Sequence, residues 1–173
     1  MRTRSGNWPD RLPLRPVRPI SIRFARRLPR AYGQEVHAAT DLRRRLVVLD
    51  AELRTRPSEF RRIATHELFH FAWIRLGNPG RREFEEILAA QWFAGRRGEL
   101  GWSAEWRKSR LHGDDVAGRS RRWREYVCEA FCDTAAWLYA AVPRHPEFTL
   151  SSAARKDRKR WFDGRVLNGP FPI

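Results

Sequence analysis

A chain of 173 residues with eight Trp and ten Phe holds enough apolar bulk for one packed core, which excludes an intrinsically disordered class. Its formal net charge of +15 comes almost wholly from Arg, with only three Lys, and such a charge attracts polyanions at low salt. No apolar run reaches bilayer length and the opening Met1 to Pro9 lacks an apolar signal core, so membrane-spanning and exported classes are set aside and a cytoplasmic, reducing location is expected.

Residues 1–19 read as a basic Pro/Arg-rich arm, and residues 20–173 as a single domain. Nine Arg and one acidic residue, Asp10, fall in the first thirty positions, a composition that suits either a solvated arm or a contact with nucleic acid or another acidic partner. Ile20 to Phe24 alternates apolar and polar, as a half-buried strand does. Glu35 to Thr40 is a weaker strand, and Leu46 to Leu49 a stronger one running to about Leu53. The stretch Thr40 to Arg44 joins the last two as a hairpin. The expected class is α+β: a small N-terminal sheet of about three strands packed on a helix, then a mainly helical C-terminal half.

That helix carries His66-Glu67-Leu68-Phe69-His70. Phe60, Ile63, Ala64, Leu68, Phe71 and Ile74 recur at helical spacing, Pro57 suits a first turn, and Gly77-Asn78-Pro79-Gly80 stops the run. Two histidines four apart stack on one helix face and can hold zinc between them, with Glu67 beside the metal as a general base. Residues 81–94 form a second helix, a short one starts near Ser103, and Leu111 to Asp115 read as a turn. Residues 120–142 form a third strong helix closed by Pro143. The charge run Arg155 to Arg160 is expected to be the solvated face of a last helix docked by Trp161 and Phe162.

A catalytic zinc site needs a third protein ligand. The third helix offers Glu129 as a ligand and Asp133, one turn on, to accept the far N–H of a ligating histidine. Cys128 and Cys132 also lie four apart on that helix, where a disulfide would be strained. They suit free, small buried hydrophobes or, with the two histidines, a structural two-His, two-Cys site. His112 and His145 are further candidates, and His37 reads as structural.

His66-Glu67-x-x-His70 followed by Glu129-x-x-x-Asp133 resembles the gluzincin metallopeptidases, in a small form, over roughly residues 45–142. The resemblance implies zinc held by His66, His70 and Glu129, Glu67 as general base, and Asp133 as an outer partner. It also implies a protein or peptide substrate laid along an edge strand, for which Leu46 to Leu53 is the candidate. Tyr126 and His145 are positional candidates for stabilising the oxyanion. Two other functions remain open on the sequence: a basic nucleic-acid-binding protein with structural zinc, and a catalytically silent zincin-like module.

Overall fold

A computed structural model describes residues 12–26, 28 and 36–173. Residues 1–11 of the basic arm, and Glu35 at the start of the second expected strand, lie outside the described residues.

The strands are β1 (Leu14–Arg15), β2 (Ser21–Ala25), β3 (Ala38–Asp41), β4 (Leu46–Asp50) and β5 (Phe171–Pro172). The helices are α1 (Pro57–Arg75), α2 (Gly77–Phe93), α3 (Trp102–Lys108), α4 (Gly113–Ala117), α5 (Arg121–Tyr139) and α6 (Ser152–Leu167). The class is α+β, as the sequence implies: a three-stranded sheet lies ahead of a mainly helical C-terminal half.

In that sheet β4 is central. It pairs in parallel with β2 and antiparallel with β3. Its Val47 and Leu49 face the core while the alternate residues are half-buried, the period-two pattern of a strand covered on one face. The β3–β4 hairpin is closed by Asp41, whose Oδ1 accepts the Arg44 N–H at 2.9 Å, and by Arg45 in the left-handed region at φ 50. Among the described residues β2 and β3 are therefore the two outer strands, and β3 is the one beside the cavity. Leu46 to Leu53, expected to be the edge, instead forms the middle strand and then a 3-10 turn, Ala51–Thr55, because β2 and β3 pair on both of its sides.

Helix α1 begins at Pro57, where a missing N–H leaves no intrahelical bond unmade, and carries Glu59 in its first turn. Gly77, at φ 75, supplies the left-handed residue that ends it, and Arg81 donates to the exposed carbonyls of Trp73 and Ile74. Pro79 does not delay the next helix: it falls in the first turn of α2, which starts at Gly77 rather than at residue 81. Leu111 to Asp115 also departs from expectation, because His112 and Asp115 form a capping box that opens α4.

Helix α5 is capped by Ser120, whose hydroxyl accepts the Trp123 N–H at 3.3 Å, and packs more extensively on α1 than on any other element. Phe131 of α5 is the hub of the core, meeting Phe69, Trp73, Phe84, Phe162 and Phe171. Strand β5 brings Phe171 there by pairing in parallel with β1, so the described part of the N-terminal arm is tied to the C-terminus.

The charge run on α6 is not simply a solvated face. Arg158 is fully buried and pairs with the equally buried Glu99, at 2.7 and 3.0 Å. Arg155 caps the carbonyls of Phe148 and Leu150, and Lys159 and Arg160 pair with Asp163 and Asp157. No helix among the described residues is long and apolar enough to cross a membrane.

Candidate metal centre

The α1–α5 contact brings the second motif up to the first. His66 stands between two carboxylates from α5. Its Nδ1 lies 2.7 Å from Asp133 Oδ1, and its Nε2 lies 3.3 Å from Glu129 Oε2. A carboxylate accepts, so Nδ1 carries the proton and Nε2 faces a second acceptor. Two acceptors at that separation need a cation between them, either a second ring proton or a metal ion. Burial pulls the His66 pKa down, but Asp133 and Glu129 outweigh it and hold it well above the ordinary histidine value. Burial pushes Glu129 the other way, and His66, His70 and Arg107 outweigh it, holding the carboxyl well below the usual carboxylate range.

Helix α3 fixes both α5 carboxylates. Ser103 donates to Glu129 Oε2 at 2.7 Å, and Arg107 reaches Glu129 Oε1 at 3.4 Å. Asp133, 3% exposed, accepts the Ala104 N–H at 3.3 Å. It is pressed so closely on Gly101 that a Cβ there would sit 2.3 Å from its carboxyl carbon. Gly101, Ser103 and Arg107 carried no signal in the sequence, since nothing in their spacing links α3 to α5.

His70 meets α5 through sulfur. Its Nδ1 is 3.5 Å from Cys132 Sγ and 3.6 Å from Cys128 Sγ, and both cysteines are free thiols. The bond with Cys132, with help from His70 and against burial, brings the Cys128 thiol down to about 6. Burial pushes Cys132 up. Ligand atoms of His66, His70 and Cys132 all lie within 4.8 Å of one another, so this trio could hold a metal ion. Glu129 is not part of that trio; of the two motif histidines, it pairs with His66. The cysteines are thus partners of a motif histidine and not only small buried side chains.

Glu67, 8% exposed, is held by β3: the Thr40 hydroxyl donates to its Oε2 at 2.5 Å. Over these residues lies a cavity of about 570 Å³ lined by His66, Glu67, His70, Glu129 and Asp133, by Val36 to Thr40 along β3, and by Ile63, Leu42 and Trp102. His37, expected to be structural, lines it as well. Arg62 at the rim is neutralised by Glu59 and Glu147.

The positional candidates for oxyanion stabilisation are not there. Tyr126 is buried and donates to Glu99 at 2.6 Å, and His145 pairs with Glu59 at 2.8 Å. His112 caps α4. Besides Arg62, the cavity is lined by Arg107, which pairs with Glu129. No family model, no curated protein and no solved structure matches this chain.

Proposed function

We propose that this protein is a zinc-dependent metallopeptidase of the gluzincin kind, with zinc held by His66, His70 and Glu129. The observation that carries the reading is His66: Asp133 occupies its Nδ1 and Glu129 faces its Nε2 at 3.3 Å, an arrangement that suits a divalent ion on the open side of the ring. Two imidazole nitrogens with one carboxylate suit zinc rather than magnesium or calcium, which take oxygen donors. Bound there, the ion supplies the Lewis acidity that acidifies water and polarises a peptide carbonyl.

The chain's own residues do the rest. Glu67, steadied by Thr40, takes a proton from the attacking water and passes it to the leaving amine. Asp133 fixes the His66 tautomer, while Ser103 and Arg107 fix Glu129. An extended peptide laid along the outer edge of β3, which pairs with no strand but β4 among the described residues, would run past Glu67 with Ala38 and Ala39 beside it.

The test is cleavage of a mixed peptide library by the zinc-loaded protein, with new ends identified by mass spectrometry. Wild type produces them, and Glu67→Gln lowers the rate about a hundredfold or more. Equal cleavage by the two proteins would refute the assignment of the base.

One observation favours a second reading. With both sulfurs within 3.6 Å of His70, an ion held by His66, His70, Cys128 and Cys132 would have four protein donors, and zinc would be structural. The zinc-loaded protein would then cleave nothing, and any acidic or nucleic-acid partner would be held by the basic surface alone.

A further inference from the structure

The two motif histidines turn the same ring nitrogen toward α5 but meet different chemistry there. His66 Nδ1 meets the Asp133 carboxylate at 2.7 Å, whereas His70 Nδ1 meets Cys132 and Cys128, at 3.5 and 3.6 Å. A metal-ligating imidazole needs an acceptor for its other N–H, because that bond sets the tautomer and the ring orientation. No carboxylate or carbonyl is hydrogen-bonded to the His70 ring among the described residues; two sulfurs one helical turn apart hold that position.

Cys132 lies within 4.8 Å of the ligand atoms of both histidines, but the sulfurs differ from the other site residues in their access to the cavity. His66, Glu67, His70, Glu129 and Asp133 all line the cavity, but neither Cys128 nor Cys132 does. Cys132 is fully buried and Cys128 half-buried, and both lie against His70 Nδ1. A thiol sulfur is a weak acceptor, and two sulfurs on one N–H compensate for the weakness of each.

We propose that Cys128 and Cys132 are positioning residues: together they accept the His70 Nδ1–H and so aim its Nε2 at the ion, as Asp133 does for His66. The proposal rests on the metal-site reading above. It assigns to a sulfur pair a task that a carboxylate performs one turn away. It also makes the metal affinity of the site depend on two thiols that do not bind the metal.

The test compares wild type with C128A/C132A and C128S/C132S, the hydroxyls of the second variant being acceptors of similar shape. Zinc affinity is read by competition with a chromophoric chelator. The His70 tautomer is read by long-range proton–nitrogen NMR of the zinc-loaded protein, and sulfur ligation by near-ultraviolet absorption after cobalt(II) replaces zinc. The double alanine variant should bind zinc about 10–100-fold more weakly and lose its single His70 tautomer, the double serine variant should recover most of both, and wild-type cobalt protein should show no sulfur-to-cobalt charge-transfer band.

Zinc bound by the double alanine variant as tightly as by wild type would overturn the proposal while leaving the metal site standing. A charge-transfer band in wild type would overturn it too, by making a cysteine a ligand. If wild type binds neither zinc nor cobalt, the metal-site reading itself fails. Should the double alanine variant not fold, C128A alone, on the less buried sulfur, makes the same comparison: a loss of affinity restored by C128S supports the role, and no loss overturns it.

Discussion

Replacing Gly101 with alanine should weaken metal binding through a residue that touches no ligand. The backbone at Gly101 is extended, at φ −176, so alanine meets no conformational penalty there. The obstacle is contact. An added Cβ would lie 2.3 Å from Asp133 Cγ and Oδ1 and 2.4 Å from Oδ2, whereas an ordinary carbon contact is about 3.5 Å. The carboxylate must retreat by roughly 1 Å. It cannot do so and keep both the 2.7 Å bond to His66 Nδ1 and the 3.3 Å bond from Ala104 N. Loss of an outer partner of a ligating histidine lowers metal affinity about 10–100-fold, or about 1.4–2.8 kcal/mol. Leaving the buried carboxylate short of donors should also destabilise the metal-free protein by about 1–3 kcal/mol. Chelator competition for zinc and denaturant unfolding of the metal-free protein measure the two effects separately. Gly101→Ala binding zinc with wild-type affinity would refute the claim that Asp133 orients His66.

Ser103→Ala removes the hydroxyl donor to Glu129 and should weaken zinc binding by about tenfold, whereas Ser103→Thr should stay near wild type in the same competition assay. Arg158→Met leaves Glu99 buried with Tyr126 and Lys108 but without its bidentate cation, which should destabilise by about 3–5 kcal/mol and lower Tm by roughly 6–20 °C in calorimetry. In the metal-free protein the pair His66 and Glu129 sets a pH window. The folded pKa of His66 is raised above 6.5, so its contribution is complete below that value and is lost as pH rises through the raised one. Glu129 is lowered from 4.5, so its contribution is present above 4.5 and lost as pH falls. The denaturation midpoint of chelator-treated protein should therefore fall as pH rises above 6.5, and zinc-loaded protein should show a smaller fall, because the ion takes the place of the proton.

Periodicity made the helical half legible. Phe60, Ile63 and Ala64, and likewise Trp123, Val127, Ala130 and Phe131, repeat at the spacing of helices that bury one face, and all of them are core residues. Chain direction in the sheet was not legible. Leu46 to Leu49 is apolar because β4 is central, and an apolar run does not say how many neighbours a strand has. The charge run on α6 misled for a related reason. Composition shows Arg158 among five other charged residues, but only the fold shows that it turns inward onto Glu99.

At the site, the spacing of His66 and His70, and of Glu129 and Asp133, was readable because it lies within single helices. The pairing of Asp133 with His66 follows from the α1–α5 crossing. What stayed hidden was contributed across elements: Thr40 on Glu67, Ser103 and Arg107 on Glu129, and Gly101 making room for Asp133. The cysteines were visible as a pair. Their target was not, because four-residue spacing fixes the face they share and says nothing of what lies opposite.

The most direct measurement is an anomalous-scattering map of crystals grown with zinc, recorded on both sides of the zinc absorption edge. Zinc held as proposed gives one peak on the cavity side of the imidazoles, within bonding distance of His66, His70 and Glu129, with Glu67 close by but not bound. A peak on the far side of His70, held by Cys128 and Cys132, or no peak near His66 at all, would contradict it.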